Sequence, residues 1–406
     1  MHKSIKSIGL TEFVVLMAMM TSLTAMSIDT VLPALSEIGL DMGVKRPNDT
    51  QLVISLLFMG MAIGQMFLGP LSDSIGRKPT VYIGFGLFAT GCLMSMLTNN
   101  FEIMLAGRVL QGLGSAAPRV MVIALVRDQF SGREMARVMS FVMAVFILVP
   151  VVAPAFGQAV LLVAHWRWIF GIFLMMVLFI GIWFAWRQPE TLSPDQLIPF
   201  SLVAIGRAIR EAVTDRMVFG YTVTMGLVFG AFIGYLNSAQ QVFQEQYGLG
   251  ILFPLYFAIF AISLGCASIA NTRLVMRFGM HTLSFRALKS LAASSIIFFV
   301  VTVITAGQPP LWSLTCYFML TFFGLGILFG NLNALAMEPL GHIAGVGAAV
   351  VGSLSTFISL LLGTFIGQIY NGTVLPLIGG FAIYSITAII VMRWVNYTEP
   401  VPQSSQ

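Results

Sequence analysis

Charged side chains are few in this sequence, and those placed where they could do chemistry fall into two groups. The first is a turn. The stretch Gly64–Pro79 (GQMFLGPLSDSIGRKP) closes one apolar run and gathers Asp73, Arg77 and Lys78 within six residues, with Gly69 before them and Gly76 among them. A carboxylate at a helix end can face the positive N-terminus of a neighbouring helix. An arginine can fork onto a carboxylate at another helix end. Such pairs make a breakable conformational latch and leave no catalytic residue; Asp128, beside Arg127 at the end of another apolar run, is the expected partner of Arg77. The second group is Asp29, Arg108 and Arg119, each inside an apolar run. Charges at lipid depth are costly and point to function by default. Burial favours the neutral form of a carboxyl group and a nearby cation favours the ionised form, so an acid poised between the two can change protonation when its surroundings switch. Asp29 is the expected proton-coupling residue.

The elements that must hold these groups are membrane-spanning helices. Of 406 residues 58% are hydrophobic and only 9% charged, against about a quarter charged in soluble domains. At about 20 apolar residues per crossing, twelve spans are expected: 11–35, 51–72, 79–97, 102–125, 136–162, 167–186, 218–240, 251–275, 286–306, 310–336, 343–370 and 374–395. Backbone groups cannot stay unpaired in lipid, so these are helices, and the fold class is all-α integral membrane. The first apolar run, from Phe13 to Leu35, is too long for a cleaved leader and should stay as a helix. Sixteen of the 21 basic residues fall on the side of the N-terminus, three (Lys45, Arg46 and Arg167) on the other, and Arg108 and Arg119 inside a span. That bias puts both termini in the cytoplasm and explains the net charge of +5 without nucleic acid. Cys92, Cys266 and Cys316 lie in apolar stretches with neither pairing nor metal spacing.

The longest polar connection, 187–217, contains the midpoint of the chain and separates six-helix bundles at 1–186 and 218–406. Its stretch Phe200–Val213 has apolar residues at helical spacing with Arg207 and Arg210 between them, the pattern of a helix lying on a membrane surface. A weak internal echo relates the halves. Arg273, Arg277 and Gly279 close the eighth span as Asp73–Lys78 close the second, without a counterpart for the Asp. Two parallel six-helix repeats are one way secondary transporters are built.

Twelve spans, a central linker and the GPLSDSIGRKP turn resemble the major facilitator superfamily. RVLQGLGSAA (Arg108–Ala117) resembles that family's RxxQG signature, and VPVVAPAFG (Val149–Gly157) is similar to the Pro/Gly motif of its antiporters. LVRDQFSG and NALAMEPLGHIAG look like twelve-helix drug:proton antiporters of the Bcr/CflA type. Ser74 replaces a usual basic residue, and Gln158 a usual Gly. The resemblance implies two pseudo-symmetric bundles around a central cavity, in a bacterial cytoplasmic (inner) membrane. It also implies export of small hydrophobic drugs or metabolites in exchange for protons by alternating access, without a cofactor and as a monomer. The first and fourth spans would line one cavity, so an Asp29–Arg108 pair is expected, with Arg119 nearer the cytoplasm. Asp73 would face the start of the eleventh span, where Gly341, Gly345 and Gly347 allow close approach. Pro150, Pro154 and Gly157 would kink the fifth span and seal the cavity against protons.

Phe58, Gln65, Gln111, Tyr235, Asn237, Gln240, Gln241, Tyr256, Asn331, Asn333 and Gln368 are expected among the contacts of a small-molecule substrate. A proton-coupled nutrient symporter is the alternative within the same fold. A membrane enzyme would need paired intramembrane histidines, metal spacing or a nucleophile motif, and all four His fall at loops or termini. A channel fits two halves with switch-like charged turns less well, and with no P-loop the chain is not expected to use ATP.

Overall fold

The computed structural model describes residues 9–396, so Lys3 and Lys6 of the basic tail lie outside the described residues. Crossings α1 (Leu10–Asp29), α3 (Leu52–Ile75), α4 (Arg77–Leu97), α5 (Phe101–Gln129), α6 (Gly132–Val163) and α7 (Arg167–Arg187) form one bundle, with a short α2 (Leu35–Asp41) after the first. A linker helix α8 (Leu202–Thr214) leads to α9 (Arg216–Leu236), α10 (Phe253–Phe278), α11 (Met280–Ile304), α12 (Leu311–Met337), α13 (Ala344–Gln368) and α14 (Leu375–Asn396). By length and hydropathy the described residues hold eleven membrane-spanning runs. One of these, Leu311–Gln368, is 58 residues long. At 1.5 Å per residue that is nearly three bilayer cores, and a 3₁₀ segment at Glu338–Ile343 divides it into α12 and α13. Twelve helices therefore cross.

Helix pairings repeat between the bundles. The second crossing packs on the fourth (α3 on α5, α10 on α12), the third on the sixth (α4 on α7, α11 on α14) and the first on the fifth (α1 on α6, α9 on α13). Two seams join the bundles, α3 with α13 and α6 with α10, again second against fifth in both directions. The echo between the charged turns is geometric as well. Gly76 starts α4 at φ +100° and Gly279 starts α11 at φ +75°, a left-handed backbone at the same place in each half.

Of the boundaries that differ from the sequence expectation, two bear on the site. The first span does not run unbroken to residue 35. It stops at Asp29, passes through a 3₁₀ turn at Leu32–Ala34 containing Pro33, and resumes as α2, because proline lacks the N–H that would continue the helix. The seventh span ends at Leu236 instead of 240, and a π-helical turn, Gln241–Gln246, follows. The linker helix α8 buries Ile205, Ala208 and Ala212 against α13 and α9 while its Leu202 and Val203 stay exposed. Glu211 Oε1 and His342 Nε2 are 2.9 Å apart.

Candidate functional site

The charged turn between α3 and α4 is held by side chains of its own bundle and by the start of the linker that follows α7. Arg77 is buried and donates from Nη1 to Asp73 Oδ1 (2.6 Å) and from Nε to Asp128 Oδ2 (3.1 Å). A third residue, unmarked in the sequence, completes the turn. Glu190, just past α7, accepts from the backbone N–H of Arg77 (3.0 Å) and of Lys78 (2.9 Å), so its carboxylate caps the positive N-terminus of α4. Lys78 reciprocates, its Nζ donating to Ala185 O (2.9 Å) and Gln188 O (2.8 Å) at the C-terminus of α7. The Asp73 carboxylate is thus turned to Arg77, not to the start of α13 as expected. Gly69 is near α13, where a Cβ would come within 3.7 Å of Ala349.

A cavity of about 640 Å³ lies between the bundles, within the range that takes a drug-sized molecule. It reaches from Asp29 and Ile28, at the end of α1, to Asp73, Arg77, Arg127 and Gly345 at the basic end of the molecule. Its wall is mostly apolar, with Phe229, Phe232, Phe257, Phe322 and Phe329 on the C-terminal side and Phe58, Met61 and Phe146 opposite. Asp29 is buried against the cavity, and its carboxylate has no hydrogen-bond or ion-pair partner among the described residues. Arg119 faces the same space, likewise without an ion-pair partner among the described residues. Gln65 also lines it, with its Nε2 buried and unpartnered.

The expected Asp29–Arg108 pair is not formed. Arg108 is fully buried and spends its donors elsewhere: Nε on Val53 O (2.9 Å), Nη2 on Ser27 O (2.8 Å) and Nη1 on Gln111 Oε1. The carbonyl of Ser27 belongs to the last turn of α1, which the break after Asp29 leaves without its usual donor. Arg108 therefore caps the negative end of α1 and ties it to α3 and α5, with the Phe170 ring of α7 5.7 Å away. The same break receives the Pro/Gly motif of α6. Gly157 lies so close that a Cβ there would stand 2.0 Å from Thr30 O. Pro150 lines the cavity, and Pro154 lies one turn further along α6.

Of the expected substrate contacts, Phe58, Gln65 and Asn333 line the cavity, and the others do not. Gln111 is fully buried between Arg108 and Cys92. Tyr235 is fully buried in a cluster of aromatic rings that includes Phe260 and Phe318. Tyr256 stacks on Phe243. Asn331 exchanges two hydrogen bonds with Asn271 across α10 and α12 (3.0 and 2.9 Å). Asn237 and Gln241 belong to a seal at the end opposite the basic loops. Asn237 donates to Ser55 Oγ (3.0 Å), Gln241 to Asn48 Oδ1 (2.8 Å) and Gln51 to Gln240 Oε1 (3.3 Å). Asn48 Nδ2 donates to Gln368 O (3.0 Å) and Tyr370 O (2.9 Å), Gln368 Nε2 donates back to Asn48 O (3.0 Å), and Ser36 donates to Glu245 (2.9 Å). The cavity is closed at this end and continues to the basic end. The sequence expectation puts Asn237, Gln240 and Gln241 in the cavity wall by running the seventh span to 240, whereas α9 ends at Leu236. The polar run Asn237–Ser238 was the signal that it had ended.

Comparison with known proteins places this architecture. The sequence profile of the Major Facilitator Superfamily matches residues 15–364. The uncharacterised MFS-type transporter YdgK of Bacillus subtilis is 31% identical over 92% of both chains. A bicyclomycin resistance protein homolog of Haemophilus influenzae is 28% identical, and multidrug resistance protein D of Escherichia coli 23%, each over 95% of both chains. Among solved structures, the xylose transporter XylE of E. coli superposes with a TM-score of 0.72 at 11% identity, over 98% of this chain and 99% of its own. The human organic anion transporter MFSD10 gives 0.68 at 16%, over 95% and 98%.

Proposed function

This chain belongs to the Major Facilitator Superfamily and is a secondary transporter, not an enzyme; from that premise we propose that it exports small, largely apolar organic molecules in exchange for protons. The observation that carries the reading is Asp29, a carboxylate at membrane depth, without an ion-pair partner among the described residues and lining a large cavity between the halves. A carboxyl group that faces the cavity at membrane depth can exchange a proton with the solvent or cargo that enters it. The aromatic and methionine-bearing wall suits apolar cargo of varied shape. Two relatives are named for resistance to bicyclomycin and to multiple drugs, which supports export over uptake. In this reading the basic end faces the cytoplasm of a bacterial cell, the cavity loads from that side, and the amide seal closes the outer side. The Asp73–Arg77–Asp128 group, with Gly69, Gly76, Lys78 and Glu190, shapes the inner end, and Gly157 of α6 seals the cavity at the α1 break.

The test uses inside-out membrane vesicles with an acid interior reported by a pH dye, challenged with cationic, neutral and anionic apolar compounds. The expected result is alkalinisation of the lumen on adding a transported compound, abolished in Asp29→Asn. Alkalinisation that survives in the variant would move the proton site away from Asp29. The absence of any response from folded protein would turn the reading to nutrient symport.

A further inference from the structure

We propose that the cargo is amphoteric: a small molecule with an aromatic or apolar body, an amine at the end that meets Asp29 and an acid group at the end that meets Arg119. The proposal rests on the export reading and names the chemistry of what the cavity takes.

Asp29 and Arg119 are opposite charges facing one cavity, and neither has an ion-pair partner among the described residues. The register of the helices that carry them shows why they do not neutralise each other. α1 and α5 run antiparallel, with Thr24 Oγ1 donating to Ser115 O (3.0 Å). Asp29 lies five residues beyond Thr24 towards the seal, and Arg119 four residues beyond Ser115 towards the basic end. At 1.5 Å per residue their Cα atoms are about 13 Å apart along the bundle. An extended Arg side chain narrows that gap without closing it. Between the poles the cavity offers the phenylalanine wall of α9, α10 and α12, and the unpartnered Nε2 of Gln65 as a donor.

An unpaired charge at membrane depth is unfavourable until a partner arrives. A lipophilic cation would satisfy Asp29 and leave Arg119 uncompensated; a lipophilic anion would do the reverse. A molecule carrying both charges at the two ends of an apolar body satisfies both at once. A charge-assisted hydrogen bond is stronger than a neutral one, so a second pole should tighten binding by about tenfold or more.

The probes are para-(aminomethyl)benzoic acid and its biphenyl homologue, each with its methyl ester (cation only) and its N-acetyl derivative (anion only). Equilibrium binding is measured calorimetrically on the full chain in lipid nanodiscs, at neutral pH and without a gradient. At least one amphoteric probe should bind about tenfold or more tightly than both of its derivatives. Arg119→Gln should bring it down to the affinity of the ester, and Arg119→Lys should restore part of the difference. Asp29→Asn should bring it down to the affinity of the N-acetyl derivative. Thermal unfolding midpoints establish that the variants are folded. Equal binding of ester and amphoteric probe, or no binding of any probe to folded wild-type protein, would overturn the proposal. Ester-driven proton exchange in the vesicle assay together with equal binding would overturn this proposal and leave export intact. Tight amphoteric binding without proton movement would overturn export and leave the two-pole recognition standing.

Discussion

Arg108 joins three helices through acceptors that carry no side-chain signature. Two of its three partners are backbone carbonyls, Ser27 O and Val53 O, and the third is Gln111. Replacing it with Gln should leave Ser27 O buried and unmet at about 1–3 kcal/mol and cut the tie to Val53 O, lowering the thermal unfolding midpoint by several degrees in detergent. Arg108→Lys should recover little, because an ammonium cannot fork onto diverging carbonyls; full recovery by Lys would mean that charge alone matters. At this scale the sequence was legible where side chain meets side chain. The signs and positions of Arg77 and Asp128 announced their pairing, whereas the turn of Asp73 onto the same arginine was not expected. It was silent where a side chain meets backbone. A lone Glu190 past the end of a span carries no periodicity, and an arginine at lipid depth reads as the partner of the nearest acid, which led to Asp29.

At the scale of elements, the break in α1 is where several features meet. Pro33 prevents continuation, Arg108 caps the end, and Gly157 of α6 abuts Thr30 O directly after Asp29. A methyl group at position 157 would have to push the α1 break or α6 outward. Gly157→Ala should therefore speed the decay of a preset pH gradient in vesicles without substrate, as the seal beside Asp29 loosens; decay at the wild-type rate would show that the contact only packs. The α-helical class, the twelve crossings and the repeated halves were legible because lipid enforces long apolar runs and positive loops. The ends of α1 and α9 were not, because both continue into apolar or amide-rich residues, and only the tertiary partners decide where the helix stops.

At the scale of the whole molecule, the two halves are held apart at one end and joined at the other. The joining bonds are between neutral amides and hydroxyls, with Glu245 the one acid among those named. Deleting Asn48 and Gln241 side chains together (Asn48→Ala, Gln241→Ala) removes several bonds worth about 1 kcal/mol each. The population open at that end should rise by about tenfold or more, read as longer distances between spin labels at L40C and W312C. Bonds between neutral groups are weakly screened, so the same distance distribution should stay unchanged between low and high salt; a shift with salt would mean that ion pairs hold the seal. Neutrality also bears on how the cell's electrical energy is used. A charge that crosses the whole membrane potential exchanges about 2.3 kcal/mol per 100 mV. Separating amides moves no net charge, so opening and closing of the seal should be nearly indifferent to voltage. The electrical part of the driving force would then act through Asp29, Arg119 and what occupies the space between them. An amphoteric cargo leaving with its charges balanced, against one entering proton, would make each cycle carry one net charge inward.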